Sequence, residues 1–189
     1  TISAILAGTA NLEMSGAGTV VLSGTNTYTG TTTISAGTLK LGAAGVIADS
    51  SAVSITGALD LNGYSETVGS IAGGGSITSS ASGTPTLTAG GNNTSTTFSG
   101  VIENGSATTV ALTKAGSGTL TLSGTNTYTG ATNINGGVVS VTADSNLGAG
   151  SSLTLNAGTL TITGSGTFSS SKAITLNGAG TINNTNTTN

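Results

Sequence analysis

The amino-acid sequence predicts an all-β protein built as a β-solenoid. Three observations lead there: a small-residue corner recurring every 20 residues or so, an alternation of period two between corners, and a composition unsuited to helices. Thr, Ser, Gly and Asn account for 113 of the 189 residues, whereas Leu, Ile, Val and Phe together number only 40. So thin a supply of aliphatics suits a narrow, layered core better than a round one. Disorder normally joins low hydrophobicity to high charge, and here the net charge is only −3.

The corner segments run in order as MSGAGTVVL at 14–22, ISAGTLKL at 34–41, ITGALDL at 55–61, IAGGGSI at 71–77 and LTAGG at 87–91. They continue as LTKAGSGTLTL at 112–122, INGGVVSV at 134–141, LNAGTLTI at 155–162 and LNGAGTI at 176–182. The residues before the corners are 14, 34, 55, 71, 87, 112, 134, 155 and 176, in steps of 20, 21, 16, 16, 25, 22, 21 and 21. Roughly nine coils of about 20 residues follow. Leu39 and Leu41 flank Lys40, Leu59 and Leu61 flank Asp60, and Leu160 and Ile162 flank Thr161, as short strands with one buried face require. No window sustains a 3.6-residue apolar stripe among good helix formers.

A coil of this size cannot bury its apolar face alone, but stacking sets the aliphatics of successive coils on one another with their strands parallel. At roughly 4.8 Å per coil the rod is on the order of 40–45 Å long. An antiparallel sandwich also has short alternating strands, but its hairpins do not repeat one corner at a near-constant step. Ala36-Gly37, Gly136-Gly137, Ala157-Gly158 and Gly178 to Gly180 supply the tight corners. Asn135, Asn156 and Asn177 precede three of them, placed for an inward or stacked amide. One solenoid unit is expected over 1–189, made of two related blocks, about 14–113 and 114–189, and belonging to a longer passenger or fibre.

The blocks rest on a duplication. LSGTNTYTG occurs at 22–30 and again at 122–130, and 15 of 26 positions match between 16–41 and 116–141. The longer stretches GTVVLSGTNTYTGTTTISAGTLKLG at 18–42 and GTLTLSGTNTYTGATNINGGVVSV at 118–141 resemble the autotransporter-associated β-strand repeat, or passenger-associated transport repeat. The resemblance implies a right-handed parallel β-helix in the passenger of a type V secreted protein, at the surface of a Gram-negative bacterium or released from it. In that family the repeat is associated with passenger export and folding. The sequence shows neither a signal peptide nor a C-terminal translocating barrel.

The motif positions matching the family are Asn26, Tyr28, Gly30 and Thr32, with Asn126, Tyr128, Gly130 and Thr132. They read as a corner in which Asn caps a turn and Tyr covers an edge of the stack; the competing reading is a recognition loop. A spacing of 100 sets the two tyrosines five coils apart, too far for one pocket.

Catalysis is disfavoured. The chain has no histidine, cysteine, tryptophan, arginine or glutamine, three lysines and six acids. Of Glu13, Asp49, Asp60, Glu66, Glu103 and Asp144, only Asp49 and Glu66 are placed to approach each other across adjacent coils, as a glycoside-cleaving pair must. The run from Ala72 to Gly75 lacks the aspartates of calcium-binding nonapeptides. No catalytic residue, metal or cofactor is expected. Nucleic acid is not an expected partner, because there is no basic footprint, and no apolar run approaches a membrane span.

Threonine arrays at Thr25, Thr27 and Thr29, at Thr84, Thr86 and Thr88, and at Thr159, Thr161 and Thr163 raise an ice- or carbohydrate-binding face. An ice face needs T-x-T on every coil, and these arrays fall at different coil positions. The end segments carry Ile2, Ile5, Leu6, Ile174, Leu176 and Ile182 without an amphipathic cap, which predicts head-to-tail self-association or continuation into neighbouring coils. The function expected is a non-enzymatic extracellular scaffold or stalk of an autotransporter-like surface protein that supports adhesion to a host or surface glycan. The alternatives are a filament subunit stacking through its end coils and a Thr-array binder.

Overall fold

The computed structural model describes residues 1–186. The chain lays down twenty short strands: β1 (Leu12–Met14), β2 (Thr19–Leu22), β3 (Thr32–Ile34), β4 (Thr38–Leu41), β5 (Ala52–Ile55), β6 (Ala58–Asp60), β7 (Glu66–Val68), β8 (Ser70–Ala72), β9 (Ser76–Thr78) and β10 (Thr86–Ala89). They continue with β11 (Thr96–Phe98), β12 (Val101–Ile102), β13 (Ala111–Lys114), β14 (Thr119–Leu122), β15 (Thr132–Ile134), β16 (Val138–Val141), β17 (Ser152–Asn156), β18 (Thr159–Ile162), β19 (Ala173–Asn177) and β20 (Thr181–Asn184). The one helical element among the described residues is a 3₁₀ turn at Asp144–Leu147. Every strand pair is parallel and joins residues about one coil apart, such as Leu12 to Thr32 and Thr32 to Val53. The fold is therefore a β-solenoid.

Three columns run along it. The first stacks β1, β3, β5 and β8, passes through a bridge between Gly73 and Phe98 to β11, and continues as β14, β16, β18 and β20. The second stacks β2, β4, β6, β9 and β12, and then receives the loop around Asn126, because the Thr127 amide donates to the Ile102 carbonyl. The third begins as the loops around Leu6, Asn26 and Val46, linked through side chains, and becomes β7, β10, β13, β15, β17 and β19.

The path through these columns changes phase midway. Leu12 lies in the first column, whereas Leu112, 100 residues further on, lies in the third. From β1 the first column climbs four steps to β11, and the chain then crosses two further faces to β13. The two blocks are thus separated by about four and two-thirds turns rather than the five coils their spacing suggests. Among the described residues the nine strands of the first column make about eight turns.

Inward residues alternate as the sequence requires. Leu39, Leu41, Leu59, Ile71, Ile77, Leu87, Leu112, Leu122 and Leu155 are among the fully buried side chains of one continuous core. Burying a side chain of this size stabilises by roughly 1.5–3 kcal/mol each, in a layer only a few side chains wide. Outward positions on the same strands, such as Thr88, Thr113 and Thr154, form a ladder in register. Asn135, Asn156 and Asn177 also stack, each amide nitrogen donating to the preceding Oδ1 at 2.9 and 2.8 Å. They lie on the exposed side of the corner and bond one another rather than neighbouring backbone.

Candidate functional site

The repeat motif forms a brace between coils, built twice. In the first copy the Leu6 amide donates to Asn26 Oδ1 at 2.7 Å, and Asn26 Nδ2 donates to the Val46 carbonyl at 2.5 Å. In the second the Ile102 amide donates to Asn126 Oδ1 at 2.8 Å, and Asn126 Nδ2 donates to the Asn146 carbonyl at 2.5 Å. One amide side chain thus satisfies a donor in the coil below and an acceptor in the coil above. The Val46, Ile102 and Asn146 partners are buried, where a lost partner costs about 1–3 kcal/mol, whereas Leu6 is only partly buried.

The rest of each motif packs under that amide. Tyr28 and Tyr128 are buried, and their hydroxyls pair with Thr32 and Thr132 at 2.6 and 2.7 Å. Thr32 Oγ1 also meets Ser51 Oγ at 2.9 Å, while Thr132 Oγ1 donates to the Leu147 carbonyl at 3.2 Å. Burial holds both phenols above their usual pKa, so they stay neutral. Gly30 and Gly130 occur where adjacent coils press close: a Cβ there would run into the carbonyl of Ala10 or Val110. Of the eight, Tyr28 and Thr32 also border openings at the first end of the stack.

Two buried ionisable groups stand out beyond the predicted positions. Lys114 points inward, almost fully buried, where the 100-residue alignment puts Met14 in the first copy. Its ammonium donates to the carbonyls of Ala115 at 2.6 Å, Gly116 at 3.1 Å and Gly136 at 3.5 Å, and desolvation lowers its pKa. Glu66 shares the inward face of β7 with Val68 and accepts from the amides of Val46 at 3.1 Å and Ile47 at 3.2 Å. Burial pushes its carboxyl up to about 7 against the pull of those amides. Alternation signals both residues: each stands at an i, i±2 position to a core aliphatic, Leu112 for Lys114 and Val68 for Glu66.

The acid pair raised from the sequence does not assemble into a cleft. Asp49 is exposed on the surface while Glu66 is sealed inside. Asp60 is buried and accepts from the Asn62 and Ser80 amides at 2.8 Å each, with Lys40 at 3.7 Å. Among the described residues no three His, Cys, Asp or Glu side chains group as metal ligands. Openings lie at both ends of the stack: one of about 310 Å³ beside Ile2, Leu12, Met14 and Leu39 and one of about 380 Å³ beside Ile5, Leu6 and Tyr28 at the first end, and one of about 420 Å³ beside Ile162, Phe168 and Ile182 at the other. Ile5, Ile174, Leu176 and Ile182 are exposed there, while Ile2 and Leu6 pack against the core.

A braced parallel solenoid of this kind is a repeat protein. The chain matches the family described as the passenger-associated-transport repeat at residues 12–41 and 112–141, the two segments that contain the braces. It is also 40% identical over 146 residues to the adhesin BmaC autotransporter of Brucella suis biovar 1 (strain 1330), an alignment covering 74% of this chain and 4% of that protein. The chain therefore spans a small fraction of the length of this relative. No solved structure matches it. The chain is a passenger-associated repeat protein of the autotransporter type, a surface passenger scaffold at the cell surface or outside a Gram-negative bacterium. Among the described residues no helix is long and apolar enough to cross a membrane.

Proposed function

We propose that this segment is a non-enzymatic stalk that stiffens an autotransporter passenger and holds adhesive parts away from the cell. The observation that carries the reading is the inward orientation of both motifs. Asn26, Tyr28 and Thr32, like Asn126, Tyr128 and Thr132, spend their amide, phenol and hydroxyl groups on one another and on adjacent coils. The similarity to an adhesin supports a role in adhesion. On this reading the motif residues are architectural, and export is helped by coils that lock as they stack. Electron microscopy and sedimentation over a range of concentrations test it. Discrete rods on the order of 40 Å long are expected. Concentration-dependent fibres would instead establish a filament subunit, joined through Ile2, Ile5, Leu6, Ile174, Leu176 and Ile182.

One observation favours a second reading, a carbohydrate- or ice-binding face. Thr119 and Thr121 on β14 lie in register with Val138 and Ser140 on β16 and with Thr159 and Thr161 on β18. Thr97 and Thr181 extend the two rows. The row of Thr97, Thr121, Ser140 and Thr161 is a coil-spaced line of hydroxyls, the other row is interrupted by Val138, and Thr86 and Thr88 stand on a different column. Retention on immobilised polysaccharide or on ice that disappears in Thr121→Lys would support this reading; unchanged retention, or none, would remove it.

A further inference from the structure

The two braces differ in what continues them upward. Above Asn126 the next coil presents Asn146, whose Oδ1 accepts from the amides of Thr142 at 3.0 Å and Ala143 at 2.9 Å and whose Nδ2 donates to the Gly124 carbonyl at 2.9 Å. This extension is uncharged and indifferent to pH. Above Asn26 the next coil presents Val46, which has no side-chain polar atom, and the ladder is taken up one coil higher by the Glu66 carboxylate. Residue 166, the 100-residue counterpart of Glu66, is glycine, so the second copy has no carboxylate there.

Glu66 also stands at the seam where the solenoid changes phase. It opens β7, the first regular strand of the third column, and its two acceptor bonds tie that strand to the irregular 46–47 segment below. Above it β10 sets Leu87 in register, an apolar lid. The titratable groups facing it are Asp49 on the segment below, a like charge, and Tyr28 one coil lower, which stays neutral. Neither ion pair found among the described residues, Lys40 with Asp60 or Lys172 with Asp144, includes it.

We propose that Glu66 is a pH-sensitive latch on this seam, closed when its carboxyl is protonated and loosened when it ionises, so that the solenoid tightens as the medium acidifies. The physical cause is a charge sealed beneath Leu87 without a cation. Two amide donors offset only part of its lost hydration. The direction follows from linkage. The carboxyl binds its proton more tightly folded than unfolded, so the stability it confers is complete below the unfolded value near 4.5 and is lost as pH rises through about 7.

Hydrogen exchange of the whole 189-residue chain, corrected for intrinsic rates, tests this between pH 4.5 and 8.5. The protection factors of the Val46 and Ile47 amides are expected to fall by up to about a hundredfold across that range. The Ile102 amide, held by Asn126, should stay level relative to them. In Glu66→Gln, which keeps an acceptor and cannot ionise, the fall at Val46 and Ile47 should vanish. Asp49→Asn, an exposed change that leaves the core intact, removes the like charge that helps raise the Glu66 carboxyl, so it should shrink the fall and raise the protection remaining at pH 7. Equal slopes in the parent chain and Glu66→Gln, level protection in the parent, or no response to Asp49→Asn should Glu66→Gln fail to fold, would each overturn the latch.

Discussion

The two repeat copies carry the same nine residues, LSGTNTYTG, and build the same brace, yet they stand on different columns and against different neighbours. The first rests on the irregular segment around Leu6, whereas the second rests on β12 and is topped by the 3₁₀ turn carrying Asn146. Tyr28 retains slight exposure at 3%, and Tyr128 has none. A nine-residue string therefore encodes a local joint, portable between faces. How tightly the joint is held depends on the coils above and below.

The largest expected effect tests whether close stacking is needed equally in both copies. Gly130→Ala drives a methyl into the carbonyl of Val110, which is fully buried, and is expected to cost more than about 3 kcal/mol. Gly30→Ala meets the carbonyl of Ala10, which is exposed, so less packing has to give way. It should cost visibly less, as denaturant melts of the two variants would show. Equal losses would mean that the two copies are equally rigid.

Next in size is the amide. Asn126→Ala strands the Ile102 donor and the Asn146 acceptor and should cost about 2–4 kcal/mol in the same melts. Asn26→Ala should cost less, because its Leu6 partner is only partly buried and water can replace the lost bond. Removing one hydroxyl is smaller still. Tyr128→Phe and Tyr28→Phe should each cost about 1 kcal/mol, since Thr132 keeps Leu147 and Thr32 keeps Ser51. A Tyr28→Phe loss well above that of Tyr128→Phe would reverse the ranking of the two sites.

The smallest effect concerns corners. Gly37 and Gly137 take positive φ values of 66° and 59° in the two copies, and at the corner after β17 it is Ala157, with φ 61°, that does so. Ala157→Gly should relieve that strain and raise stability by about 1 kcal/mol. Thermal melting with an unchanged or lowered midpoint would show that the strain is absent.

Much of this was legible in the sequence because solenoid physics is local. Alternation at Leu39-Lys40-Leu41 or Leu160-Thr161-Ile162 declares the inward face, and every one of those leucines and isoleucines lies in the core. The duplicated motif marked the eight brace residues. Their bonding partners were not legible, since Asn26 reaches Leu6 and Val46, and neither spacing nor residue type names those backbone groups. Lys114 and Glu66 were concealed by their charge, which reads as solvated until alternation is given precedence over polarity.

By itself the sequence determined the class of architecture, the size of the coil, the strands and the duplicated joint, because each follows from period and composition within a few residues. Only the tertiary structure decided the phase. The steps from Ile55 to Ile71 and from Ile71 to Leu87 are both 16 residues long, yet the first nearly completes a turn within the first column and the second carries the chain on to the third. A step length counts residues, whereas a column is set by which neighbour completes the hydrogen-bond ladder. At the seam that neighbour was chosen by parallel pairing of β7 with β10, a contact between coils that no single coil encodes.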